Sequence, residues 1–183
     1  PSRASNPTME TGGVGGQIRI YNWDGDILYT YNVSSTYYQH HHDIAVLPNG
    51  NFIVVAWERL LSDDWQQLGR TDVNNNLNQM WTTIFIEVQP TLDGRIESYN
   101  DGDDSEVVWE WRITDHLVQS INSSYLSTYA VDISDHPELM NVNQGNVGTN
   151  GPQPNGDWIH VNALDYNEDL DQLVFSSRFM SEI

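Results

Sequence analysis

Apolar positions along this chain recur with a period of two, in short runs separated by turn residues, and helical periodicity is scarce. "QIRIYN" (17–22) is followed by "WDGD" and then "ILYTYNV" (27–33), which predicts a hairpin with an Asp-Gly turn. "HDIAVL" (42–47), "PNGN" and "FIVVAWE" (52–58) predict a second hairpin. The polar stretch Ser62–Gln79 reads as an excursion from the sheet. "WTTIFIEVQP" (81–90) and "SEVVWEWRI" (105–113) form another strand pair around the loop "TLDGRIESYNDGDD". "TDHLVQSI" (114–121) starts like a helix capped by Thr114 or Asp115. "NVNQGNVGTNGPQPNGD" (141–157) is a long surface loop, and "DWIHVNALDYNEDLDQLVFSSR" (157–178) supplies a last hairpin.

The hairpins repeat. "HDIAVLPNGNFIVVAWE" from His42 overlays "HVNALDYNEDLDQLVFSSR" from His160, so that Ile44 falls on Asn162 and Glu58 on Arg178. The preceding hairpins, "IRIYNWDGDILYTY" and "IFIEV…SEVVWEW", match as well. Four strands occurring twice in tandem predict an all-β fold built as a partial β-propeller, about two blades of a six-bladed ring. A β-sandwich is the alternative. The expected units are an N-terminal extension (1–11), a first blade (12–61), the polar excursion (62–80), a second blade with helical and Asn/Gly-rich insertions (81–178) and the start of another blade (179–183). Two blades do not close a ring, so the chain is expected to be a fragment, or to be completed by blades from the same or another chain, homo-oligomers included. Its start at Pro1 points the same way.

Charge narrows the function. The chain of 183 residues has 26 Asp plus Glu against seven arginines and no lysine, a formal charge of −19, which opposes nucleic acid and anionic membrane surfaces as partners. No window approaches the roughly 20 apolar residues of a membrane span. The absence of cysteine removes disulfides and thiol chemistry.

Against this acidic background a few residues could hold an anion. Strand alternation puts His160 and Asn162 on one side of the chain, and Arg178, ending the paired strand, arrives at the same end of the hairpin. The repeat adds His42 at the point equivalent to His160. Two imidazoles, a carboxamide and a guanidinium make a receptor for a tetrahedral oxyanion, or for charge developing in group transfer. Other motifs carry less. In His40-His41-His42, adjacent strand residues point to opposite faces, so at most two could share a metal, and Asp43 points away from His42; no metal is expected there. "GGVGG" (12–16) precedes a strand rather than opening a helix, so it is no phosphate loop. "YNDGDDSE" (99–106) and "DYNEDLD" (165–171) are oxygen-rich, but without EF-hand spacing they read as solvated turns rather than calcium loops.

"HHDIAVLPNGNFIVVAWE", "EVVWEWRITDHLVQ", "HPEL" and "DWIHVNALDYNEDLDQLVFSSR" together resemble the bacterial arylsulfate sulfotransferase family, from about Gly12 to Ile183. The resemblance implies a periplasmic or extracellular six-bladed propeller that needs no cofactor or nucleotide donor. It passes a sulfuryl group from an aryl sulfate donor to a phenolic acceptor through a sulfohistidine. His160 and Asn162 match the family's oxygen-binding His-x-Asn pair and Arg178 its arginine. His42, with His41 as the fallback, matches a further histidine. The nucleophilic histidine of the family lies in a later blade, beyond Ile183. A non-catalytic extracellular propeller that binds a partner is the competing class, with a quinoprotein dehydrogenase behind it.

Overall fold

The computed structural model describes residues 1–100 and 105–183 and is mostly β. Residues 101–104, half of "YNDGDDSE", lie outside the described residues. The strands are β1 (Ser2–Arg3), β2 (Gly16–Tyr21), β3 (Ile27–Asn32), β4 (Tyr38–Val46), β5 (Phe52–Leu60), β6 (Met80–Val88), β7 (Ile96–Ser98), β8 (Val107–Arg112), β9 (Leu117–Val118), β10 (Met140–Asn141), β11 (Val161–Asn167) and β12 (Gln172–Ser177). One short helix, α1 (Ser62–Gln67), follows β5.

The centre is a four-stranded antiparallel sheet in the order β4-β5-β6-β8. Its strand β5 is apolar without a break from Phe52 to Trp57, where both its faces are buried. Phe52, Val54 and Ala56 pack with Ile84 and Ile86 against Tyr29 and Tyr31 of a neighbouring sheet, β1-β2-β3-β7. Ile53 and Val55 pack on the other side with Phe85, Trp158, Val161 and Leu164, under the hairpin β11–β12. The sheets therefore stack face to face, with the central one covered twice.

Several expectations are corrected. The residues grouped as one unit over 12–61 do not pair as one sheet: β2 and β3 join β7, whereas β4 and β5 join β6 and β8. The loop between β6 and β8 is not free of strands. It sends β7 across to β3, with Thr30 opposite Ile96, and so ties the two sheets together. "TDHLVQSI" is not an α-helix. A 3-10 turn over Ile113–His116 gives way to β9, which pairs with β10, while His116 stacks on Trp111 at 4.7 Å. The Asn/Gly-rich run is not wholly a surface loop, since Val142 and Val147 are core residues. Nor is "FMSEI" a strand: a turn follows β12, and Glu182 bridges back to Ser177.

Candidate functional site

The same backbone device stands at both points of the repeat. His42 has φ 53° and His160 φ 50°, left-handed values unusual for residues other than glycine, and the strand register shifts between His40 and Ile44 and between Val161 and Ala163. Strict alternation therefore fails where it was used. His41 and His42 do not point to opposite faces; their Nδ1 atoms lie 3.0 Å apart. His160 is buried whereas Asn162 is exposed, its Oδ1 accepting a hydrogen bond from Ser176 Oγ at 2.8 Å. Such a backbone costs about 1–3 kcal/mol per residue and has to be held by its surroundings.

What holds it is a closed ring of side chains. The imidazoles of His42 and His160 meet edge to face, 4.7 Å between centroids. His42 touches His41, which lies flat on Trp57 at 4.0 Å. Trp57 Nε1 donates to Asp157 Oδ1 at 3.1 Å, and the other oxygen, Oδ2, is hydrogen-bonded with His160 Nδ1, which closes the ring. Asp43, far from idle, staples the two hairpins: its carboxylate accepts the backbone N–H of Ile44 and of Leu164, each at 3.0 Å.

The glycines discarded as a phosphate loop make room for this. A Cβ on Gly13, whose φ is +81°, would sit 2.1 Å from His42 Cε1, and one on Gly15 would sit 2.1 Å from His40 Nδ1. His42 N–H donates to Gly13 O at 2.8 Å, and Gly16 N–H donates to His40 Nδ1 at 3.0 Å. Glycines of the 141–157 run shape the other flank in the same way. Gly148 N–H donates to Asp157 O at 2.8 Å, where a side chain on Gly148 would meet Asn155 O at 1.8 Å.

Arg178 arrives at the end expected of it. Its backbone N–H donates to His160 O at 3.1 Å, and its guanidinium lies over the ring of Phe179, 5.8 Å from the centroid. Phe179 in turn packs on His160 at 4.9 Å. Among the described residues no carboxylate lies within ion-pair distance of Arg178, although it is exposed on a chain of charge −19. Burial lowers the pKa of His42, and the neighbouring His160 and Arg178 lower it further, with Asp157 opposing them. Burial also holds His41 well below the ordinary range and, with the amino terminus nearby, brings His40 to about 4. His40, His41 and His42 are thus neutral at pH 7, and Arg178 brings to the site a cation with no acidic partner among the described residues.

The structure therefore joins His41, His42 and His160, with Arg178 at the same end, and leaves Asn162 on the rim. Sequence reasoning missed Asp157, Trp57, Gly13, Gly15 and Phe179. The Asp-x-x-His spacing in "DWIH" was the one signal that could have pointed to Asp157.

The model of the Arylsulfotransferase (ASST) family matches residues 93–183, a stretch that contains Asp157, His160, Asn162 and Arg178 and stops short of His40–His42. No curated protein and no solved structure matches the chain.

Proposed function

We propose that this chain, a member of the arylsulfotransferase family by its residues 93–183, carries the sulfuryl-binding part of an arylsulfotransferase active site. The observation that carries this reading is the meeting of His42 and His160, equivalent residues of two repeats, beside an arginine with no carboxylate partner among the described residues. Arg178 offers a planar pair of N–H donors to two sulfuryl oxygens, His42 and His160 contribute single contacts, and Asn162 reaches a third oxygen from the rim with its amide. His41 supports His42 from behind.

In the reaction a histidine nitrogen from outside the described residues attacks sulfur. The S–O bond to the aryl group breaks, and the phenolate leaves with the bonding pair. An acceptor phenol then passes its proton to water as its oxygen attacks sulfur, and the S–N bond breaks with its pair returning to the histidine nitrogen. Sulfuryl oxygens shift in charge and geometry through both steps, and fixed donors aimed at them lower both barriers. The central sheet, begun by the strand of His42 and followed by a hairpin begun at His160, is read as one propeller blade and the opening of the next. The equivalent histidines then face a common axis. On this reading the protein works in the periplasm or outside the cell.

The test is transfer from 4-nitrophenyl sulfate to a phenol by the intact protein. His160→Ala and Arg178→Ala are each expected to lower kcat/KM by at least about 100-fold, the scale of losing one oxyanion donor. A near-native rate in either variant sinks the assignment and favours a propeller that binds a partner by its rim loops.

A further inference from the structure

Asp157 is 1% exposed, and both its oxygens are engaged inside the protein, one by Trp57 and one by His160. A buried carboxylate is an expensive way to satisfy an indole N–H. The other tryptophans of the core do so with neutral acceptors: Trp81 Nε1 donates to Gln79 Oε1 at 3.0 Å, Trp158 to Gln144 O at 2.9 Å and Trp65 to Asn78 O at 3.3 Å. Trp57 alone among these takes a charge. What distinguishes its acceptor is the second oxygen, which faces His160. The loop around Asp157 is shaped to hold it there. Trp81 N–H donates to Gly156 O at 2.6 Å and Trp158 N–H to Trp81 O at 3.3 Å, and a Cβ on Gly156 would sit 2.9 Å from both Gln79 O and the Trp81 ring. The backbone of Asp157 is itself held on both sides, its N–H donating to Asn155 Oδ1 at 3.3 Å and its carbonyl accepting from Gly148 N–H at 2.8 Å.

We propose that Asp157 is the positioning residue of the sulfuryl site, a role that rests on the function proposed above. A carboxylate can only accept, so His160 Nδ1 carries a proton and donates it to Asp157. The tautomer and the ring orientation of His160 are thereby fixed, and Nε2 is the nitrogen left for the sulfuryl group. When Nε2 is also protonated and donates to a bound oxyanion, Asp157 balances the positive charge of the imidazolium inside the protein. Trp57 keeps the carboxylate from rotating away and links it, through the stacked His41, to His42. The family's anion-binding histidine is on this account half of an Asp–His pair whose other half never touches substrate.

The experiment is a long-range proton–nitrogen correlation spectrum of the histidines in the intact protein, with and without inorganic sulfate, for the wild type and Asp157→Asn. In the wild type without sulfate, His160 is expected to be protonated at Nδ1. This arm needs no variant to fold, and an unprotonated Nδ1 overturns the proposal. In Asp157→Asn the amide can present its NH2 to the ring, and the proton is expected to move to Nε2, while kcat/KM falls roughly 100-fold, as when a histidine is held in the wrong tautomer. An unchanged tautomer in that variant also overturns the proposal. If Nδ1–H is present but sulfate leaves the His160 signals unmoved, the reading of the site as a sulfuryl receptor fails, and Asp157 is left as a structural partner only.

Discussion

The hairpins β4–β5 and β11–β12 make an instructive pair. Each carries a left-handed histidine at a register shift, His42 within β4 and His160 just before β11, and they touch through these two rings. They differ at the other end. Glu58, the counterpart of Arg178, is tied to Arg112 at 3.3 Å inside a polar cluster with Tyr38 and Tyr99. Arg178 stands in solvent with no acid at ion-pair distance among the described residues. The shared half supplies backbone geometry and the divergent half supplies charge, so the repeat sets one exposed cation beside two like backbones.

Making the second hairpin like the first is expected to have the largest effect. Arg178→Glu puts a carboxylate where an oxyanion is to bind, and sulfuryl transfer should fall by more than about 1,000-fold, beyond the loss from alanine. A fall no larger than that of Arg178→Ala, measured with the same donor, would remove charge from the account.

Gly13→Ala attacks the shared half instead. It adds a Cβ 2.1 Å from the His42 ring at a φ of +81°, so His42 has to move. A loss of about 2–3 kcal/mol in unfolding free energy is expected by urea titration, together with weaker transfer.

Acid should expose the difference in burial between the hairpins. His40 has a folded pKa of about 4 against 6.5 unperturbed, so the unfolded chain binds the proton first. The stability that comes from keeping His40 neutral is fully present above pH 6.5 and is lost as pH falls toward 4, by roughly 3 kcal/mol in all. His41 and His42 act in the same direction. His40→Asn, whose side-chain oxygen can replace Nδ1 as acceptor for Gly16 N–H, should unfold less steeply than the wild type between pH 6.5 and pH 4.5. Parallel curves would contradict the buried neutral histidine.

The smallest effect belongs to Asn162→Ala. Asn162 is exposed and held by one bond from Ser176, so a loss below about 10-fold in kcat/KM is expected, well under that of His160→Ala.

What could be read from the chain follows the locality of its causes. The β2–β3 turn was legible because Asn22, Asp24 and Gly25 build it among themselves, with Asp24 and Asp26 N–H both donating to Asn22 Oδ1. The β4–β5 turn was legible for the same reason, with Gly50 at φ 92° and Asn51 N–H on Asn49 Oδ1. The equivalence of His42 and His160 came from the repeat. Non-local causes stayed hidden. β7 is a strand only because β3 offers it an edge, and the left-handed histidines exist only because Gly13, Trp57 and Asp157 surround them from distant segments. The six-residue helix α1 was missed because it is too short to show a period; it is fixed by burying Trp65 and by Asp64 accepting the Leu61 N–H at 2.9 Å. Reading period two through His40–His42 misplaced side chains at the very residues that matter.

The central claim is that two repeats meet around one tetrahedral oxyanion. Crystals of the intact protein soaked in selenate, whose selenium is located by its anomalous signal, test it most directly. The account expects a peak within hydrogen-bond reach of Arg178, His160 and His42, and no such peak in Arg178→Glu. A selenate bound elsewhere in a protein that still transfers sulfuryl groups would contradict it.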